Sequence, residues 1–305
     1  MKVGLTGGTG FVGSEVLRQL HQAGHQARLL VRDAESPSAK RIASKFSVEL
    51  CAGNILAPER LGPFCKGCDA VIHLVGIISE MGNSTFENIH TRGTGNVVKA
   101  LQTSGVPRLV HMSALGSRPN AVSRYHRTKW QAEETVRNSG LEFTIFRPSI
   151  IYGAGDAFTT LFARIARFSP VMPVMGSGAG TFQPVPVENV ARCIVGAVTE
   201  PKAVGQTFDV GGPQVLTLND VLDTIMEVTG RRRIKVHVPL PLARMQAAVL
   251  EAIYPLIFRK APPLNRDQLI MLQEKTVGNA SPTQQLFHLP DIAFREGLRS
   301  YLPEK

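Results

Sequence analysis

Through its first half the chain alternates short β-branched and aliphatic runs with stretches whose apolar residues recur every three or four positions. Residues 2–6 form an apolar run, and 11–23 place Val12, Val16, Leu17 and Leu20 on one helical face. The same pattern predicts strands at 27–32, 48–52, 70–75, 108–112 and 143–146, and helices at about 85–104 and 125–138. Apolar strands separated by helices belong in a parallel sheet covered on both faces. The predicted fold class is therefore α/β, a doubly wound parallel sheet. Beyond Arg147 the texture turns rich in glycine and proline, and 207–210 reads as a strand that returns to the main sheet. The expected division is a sheet-bearing domain at 1–150 and a smaller, mostly helical substrate or partner lobe at 151–305.

Composition adds limits. At 305 residues, 43% hydrophobic and 19% charged, the chain can bury a large core, which excludes disorder and fibre. Its 34 Lys and Arg against 24 Asp and Glu leave a net charge of +10, favouring an anionic partner: a phosphorylated cofactor, nucleic acid or an acidic membrane surface. No nucleic-acid module is visible, and one Trp and four Tyr leave few stacking aromatics, so nucleic acid is set aside. Lys2 leads into a glycine-rich turn rather than a secretory apolar run, and the uncharged stretch 168–187 is broken by prolines and glycines. A cytoplasmic location is expected, with a place at the periphery of the inner membrane left open. Cys65 and Cys68 form a CxxC without a second pair or a His pair to complete a metal site, so no metal is expected and both read as core.

The strongest local signal is Thr6-Gly7-Gly8-Thr9-Gly10-Phe11-Val12-Gly13, at a strand-to-helix junction. Gly7 and Gly10 allow a tight turn that brings backbone N–H groups to a pyrophosphate, Phe11 and Val12 open the helix, and Gly13 lets it pack closely on the sheet. At the end of the second strand Arg32 can grip a ribose 2′-phosphate, whereas an acidic residue there would bind a free 2′-hydroxyl. NADP(H) is thus preferred over NAD(H); Asp33, one position on, would restore the acidic partner if the register slips. Arg28 either adds positive potential there or is solvated.

With TGGTGFVG at 6–13, Tyr125-His-Arg-Thr-Lys129 as a YxxxK pair, and Arg147-Pro148-Ser149 after the sixth strand, the chain resembles the extended and atypical short-chain dehydrogenase/reductase superfamily, of epimerase/dehydratase type. SALGS (113–117), YHRTKWQAEE (125–134), FRPSIIYGAGD (146–156) and FQPVPVENVA (182–191) look like the branch containing the nucleotide-binding accessory subunit of respiratory complex I and its bacterial relatives. The resemblance implies a Rossmann domain in which Tyr125 is the catalytic acid/base. Lys129, one helical turn on, would hold the nicotinamide ribose and draw the phenol pKa down towards neutrality. It further implies Asn54 and Ile55 at the adenine, Leu74, Val75 and Gly76 along the cofactor, and Pro148, Ile150 and Ile151 beside the nicotinamide. Such enzymes usually hold the substrate oxygen with a Ser or Thr just after strand five; Ala114 falls there, with Ser113 one residue before and Ser117 three beyond. Ser113 is the candidate third catalytic residue, although a strand residue one position off points to the opposite face. His73 reads as an interior histidine.

Two functions follow from the resemblance. One is an NADP(H)-dependent oxidoreductase using the Tyr-Lys pair on an apolar or unknown substrate. The other is a catalytically weak nucleotide-binding accessory or assembly protein of a membrane respiratory system, with a protein partner. Phe158, Leu161, Phe162, Ile165 and Ala166 make an apolar face suited either to an apolar substrate or to the lobe core. Residues 239–260 form an apolar stretch with Arg244, Arg259 and Lys260 near its ends. They read either as an interfacial helix on acidic lipid or as a helix pair packed on the sheet and interrupted at Pro255.

Overall fold

The computed structural model describes residues 1–302. The first half runs β1 (Lys2–Thr6), α1 (Phe11–Gln22), β2 (Gln26–Val31), α2 (Pro37–Phe46), β3 (Glu49–Ala52), α3 (Pro58–Cys65) and β4 (Ala70–His73). A π-helical segment (Glu87–Arg92) then leads into α4 (Gly93–Ser104), β5 (Arg108–Met112), α5 (Arg124–Arg137) and β6 (Glu142–Pro148). The second half contains β7 (Ile151–Tyr152), α6 (Thr159–Phe168), β8 (Val171–Met175), β9 (Thr181–Phe182), β10 (Val185–Pro186), α7 (Val187–Gly196), β11 (Gln206–Val210), β12 (Leu216–Thr217) and α8 (Leu218–Val228). It ends with β13 (Ile234–Val238), α9 (Leu240–Phe258), α10 (Arg266–Met271), β14 (Lys275–Thr276), α11 (Ser281–Phe287) and α12 (Phe294–Arg299).

The main sheet has seven strands in the order β11-β6-β5-β4-β1-β2-β3, every pair parallel. From β1 the chain winds outward through β2 and β3, then crosses back to β4 and winds the other way, so the carboxyl ends of β1 and β4 flank the topological switch point. Apolar clusters fill both faces: Leu5, Leu17, Leu29 and Ile72 lie in one, and Leu61, Phe64, Val71 and Leu101 in the other. Cys65 and Cys68 are buried as free thiols in the second cluster, and burial pushes the Cys65 thiol up to about 12. Arg28 is neither solvated nor near a cofactor position: it pairs with Glu49 at 2.8 Å and donates to the carbonyls of Pro63, Phe64 and Lys66.

The structure adds to or decides four expectations. Besides its helices the second half carries three small sheets, in which β8 pairs with β13, β7 with β10, and β9 with both β12 and β14. Strands this short, paired across long stretches of chain, leave no alternating pattern to detect. The fourth strand ends at His73 rather than at 75, freeing Leu74, Val75 and Gly76 to curl across the sheet end. Of the two readings of the apolar face at 158–166, the structure shows the core: Phe158, Phe162, Ile165 and Ala166 pack with Met172, Leu222 and Ile225. Residues 240–258 form one continuous helix rather than a pair broken at Pro255.

His73 and His111 are register partners on β4 and β5, their rings stacked 5.4 Å apart. His73 shares hydrogen bonds with Thr6 (2.7 Å) and Thr94 (3.2 Å), whereas neither ring nitrogen of His111 has a partner among the described residues. Burial lowers His73 to about 3 and holds His90 and His111 well below the usual histidine range. All three are neutral in the folded chain, while their unfolded counterparts take up protons near pH 6.5. Their stabilising effect is complete above that pH and is lost as pH falls towards the folded values. Urea unfolding at pH 5.5 should show a loss of about 1 kcal/mol per histidine relative to pH 7, and His111→Leu should remove one such share.

Candidate functional site

A cleft of about 910 Å³ opens at the switch point. Gly7 turns the chain at φ +79°, which glycine adopts without strain, while Gly10 has an ordinary φ of −83° and accepts α1 as its N-cap. A side chain at Gly13 would collide with the Gly7 carbonyl, so α1 can start directly against the turn only with glycine there. No side chain caps α1, and its first turn carries no acid, so its free N–H groups and positive dipole end face the cleft. Gly7, Gly10, Phe11, Val12, Gly13, Arg32, Asn54, Ile55, Leu74, Val75 and Gly76 all line it. These residues fit a dinucleotide, with its pyrophosphate on the turn and its adenosine towards β2 and β3.

The cleft's β2 end is rich in donors. Arg32 is exposed and in no ion pair among the described residues, and Ser36 and Ser38 line the cleft beside it. Asp33 also lines the cleft; its Oδ1 accepts the Glu35 N–H at 2.9 Å, and its backbone carbonyl accepts the Ser36 hydroxyl at 2.8 Å. Asn54 Oδ1 likewise accepts the Leu56 N–H at 3.0 Å, leaving its amide NH₂ free to turn outward. The three residues expected at the nicotinamide do not line this cleft, Ile151 lying in β7 opposite Val185. Pro148 is buried as the register partner of Val210, and Ile150 packs with the core of the second half.

At the β4 and β5 end, α5 delivers the Tyr-Lys pair. Ser123 caps α5 through its hydroxyl, so Tyr125, Lys129 and Glu133 follow at intervals of four along one face. Lys129 is 2% exposed, and Nζ donates to the Met112 carbonyl at 3.0 Å. A methyl group at Gly76 would lie 3.1 Å from Nζ, so the ammonium reaches the cleft wall. Burial lowers Lys129 to about 8, against support from Glu133. The expected lowering of the Tyr125 pKa is not found, since burial pushes the phenol up to about 12. Its ring is packed edge-on against Phe86, His90 and His126. His90 Nε2 accepts the Ile77 N–H at 3.1 Å, which leaves Nδ1 protonated to donate to Thr128 at 2.9 Å.

Ser113 is not brought to Tyr125. Its hydroxyl donates to Glu133 at 2.6 Å and lies 3.2 Å from the Ser117 hydroxyl, on the side of α5 facing β6. Fully buried Glu133 also accepts Arg147 Nε at 2.8 Å, Arg147 Nη2 at 2.6 Å and Arg137 Nη2 at 2.5 Å. Trp130 lies against both guanidinium groups.

Several residues outside these expectations complete the site. Asp267 on α10 accepts the Ser123 hydroxyl (2.9 Å) and the N–H groups of Arg124 (2.9 Å) and Tyr125 (2.8 Å), clamping the start of α5. Glu274 pairs with Arg118 and buried His126, and Asn265 donates to the Ile78 carbonyl. A second cavity of about 560 Å³ lies here, walled by Phe86, Arg124, Glu251, Asn265 and Asp267. Glu133 could have been found from its four-residue spacing after Lys129, but Asp267 lies 142 positions from Tyr125 and leaves no local signal.

A family model described as NAD(P)H-binding matches residues 7–201. The mitochondrial NADH dehydrogenase [ubiquinone] 1 alpha subcomplex subunit 9 of Arabidopsis thaliana is 29% identical over 253 residues, 79% of this chain and 61% of that protein. The ceramide reductase of Caulobacter vibrioides is 32% identical over 200 residues, 65% of this chain and 61% of that one. The chain thus spans about three fifths of the length of these curated relatives. In three dimensions it matches the UDP-glucose 4-epimerase of Thermotoga maritima with a TM-score of 0.76 at 19% identity, covering 99% of this chain and 97% of that one. The chain belongs to the NAD(P)H-binding family and has the fold of the extended short-chain dehydrogenases/reductases.

Proposed function

We infer that the protein is an NADP(H)-dependent reductase of a carbonyl compound, with residues 1–150 holding the cofactor and 151–305 the substrate. The observation that supports this most directly is the buried Lys129 ammonium at the cleft wall, one helical turn from a protonated Tyr125. When bound, the reduced nicotinamide supplies the hydride. Lys129 orients the ribose hydroxyls and stabilises the phenolate left when Tyr125 passes its proton to the substrate oxygen. A phenol held up at about 12 is a proton donor at neutral pH, which suits reduction. Similarity to a ceramide reductase favours a lipid-like carbonyl substrate. For the cofactor, Arg32, Ser36 and Ser38 offer a cation and two hydroxyls for a 2′-phosphate, while one carboxylate oxygen of Asp33 is held by the Glu35 N–H.

A second reading is favoured by one observation. Ala114 stands where a Ser or Thr would hold the substrate oxygen, and Ser113 is bound to Glu133. In that reading the protein is an accessory component of a respiratory assembly and its cofactor is structural, in line with the similarity to the ubiquinone-linked subunit.

Turnover decides between them. NADPH oxidation assayed with long-chain 3-oxo lipids, ketones and quinones should saturate, and Tyr125→Phe should lower kcat at least about a hundredfold with cofactor Kd unchanged. Cofactor that co-purifies and never turns over with any of them sinks the first reading.

Arg32→Ala should weaken NADPH binding by roughly tenfold or more and leave NADH nearly unaffected, as read by fluorescence titration. Equal losses for both cofactors would refute the 2′-phosphate assignment.

Reduction should hold steady below pH about 8 and decline above it as Lys129 loses its proton. A lysine whose folded pKa is depressed costs stability at neutral pH, and the cost disappears as pH rises past its unfolded value. Lys129→Met should therefore abolish activity while raising unfolding stability at pH 7 by on the order of 3 kcal/mol.

A further inference from the structure

α9 is a helix with its apolar side outward. Leu242, Met245, Val249, Ile253 and Leu256 recur at intervals of three and four, forming one stripe along the helix, and all are exposed, Leu256 at 81%. Ile257 and Phe258 extend the stripe at its end, and Gln246 is the polar residue within it. The inward side is narrow: Ala243 and Ala247 pack on Leu269 of α10. The helix's acid, Glu251, is turned inward and bound to Arg266 through backbone N–H and guanidinium, each at 2.7 Å. On β13, which leads into α9, Ile234 and Val236 are also exposed, and Ile234 pairs with exposed Val171 of β8.

Charge is concentrated on the same stretch. Residues 231–260 hold seven basic residues and one acidic, six of the chain's ten net positive charges in 30 residues. Arg231, Arg232, Arg244, Arg259 and Lys260 are in no ion pair among the described residues. A protein interface core of this size would carry aromatic or hydrogen-bonding anchors near its centre, and this stripe is aliphatic with its aromatic residue at one end. The complement to an aliphatic face skirted by unpaired cations is an apolar surface with an anionic margin. Among the described residues no helix is long and apolar enough to cross a membrane, so such contact is made lying flat.

We propose that α9, with the outer edge of β13, is a docking surface for an anionic lipid bilayer. The helix inserts Leu242, Met245, Val249, Ile253 and Leu256 among acyl chains, and Arg244, Arg259 and Lys260 meet the headgroups. Its inward residue Glu251 walls the cavity beside Phe86 and Arg124, so docking sets that cavity's rim against the membrane. The surface stands apart from the cofactor cleft and does not depend on turnover.

Co-sedimentation with vesicles tests this. At low salt the protein should bind vesicles of phosphatidylcholine mixed with phosphatidylglycerol far better than phosphatidylcholine alone. The double substitution Met245→Glu with Ile253→Glu should weaken binding by at least about tenfold. Arg259→Gln and Lys260→Gln should each weaken it by roughly fivefold. All these positions are exposed and outside the cofactor cleft, so NADPH binding and far-ultraviolet circular dichroism should be unchanged. No binding at low salt, equal binding to both vesicles, or full retention by the double variant would overturn the proposal. So would a wild-type oligomer that the double variant dissociates, which would assign the face to a second copy.

Discussion

The buried carboxylate of Glu133 organises the packing of α5 against the sheet. A charge without solvent contact is tolerated only when its lone pairs are filled, and here two arginines and a serine hydroxyl fill them. Because Arg147 belongs to β6 and Ser113 follows β5, the carboxylate ties α5 to both strands. That tie places Lys129, one turn earlier, under the end of β5, where its ammonium donates a hydrogen bond to the Met112 carbonyl. The same carboxylate offsets part of the cost of burying the ammonium. It also removes Ser113 from the substrate side, so the interaction that positions the Tyr-Lys pair withholds the third group expected of it.

The opposite end of α5 is held from the second half of the chain. Asp267 fills the N–H groups of the helix's first turn, and Glu274 lies against Arg118 and against His126 of that same turn. A carboxylate at this position also opposes the helix dipole favourably. Tyr125 therefore sits on a helix fixed at both ends, in an aromatic pocket that keeps its phenol protonated. Both residues of the Tyr-Lys pair are thus held in place by contacts from distant parts of the chain.

The cofactor cleft was legible almost residue by residue. Glycine spacing, the strand-to-helix junction and the cation after β2 are local features, and eleven of the expected cofactor contacts share one cleft. Pro148 and Ile150 do not line it, because Pro148 pairs with Val210 of β11 and Ile150 packs with the second half's core, contacts that no local spacing signals. Asp33 illustrates the same limit at short range. Its carboxylate could serve a ribose or its own turn, and only the loop geometry shows it bonded to Glu35.

Periodicity and turn chemistry by themselves determined the parallel sheet, the phosphate turn and the presence of Tyr125 and Lys129 on one helical face, because each rests on spacings of four residues or fewer. Tertiary structure decided what those groups can do. Burial, which no local pattern encodes, raised Tyr125 and lowered Lys129, turned Ser113 to Glu133, and left His111 without a partner among the described residues. It also settled the direction of α9: the apolar stretch was plain in the sequence, but whether it faced a core or the outside depended on which side met α10. Two alanines and an ion pair were enough for that contact, and the larger side chains were left outward.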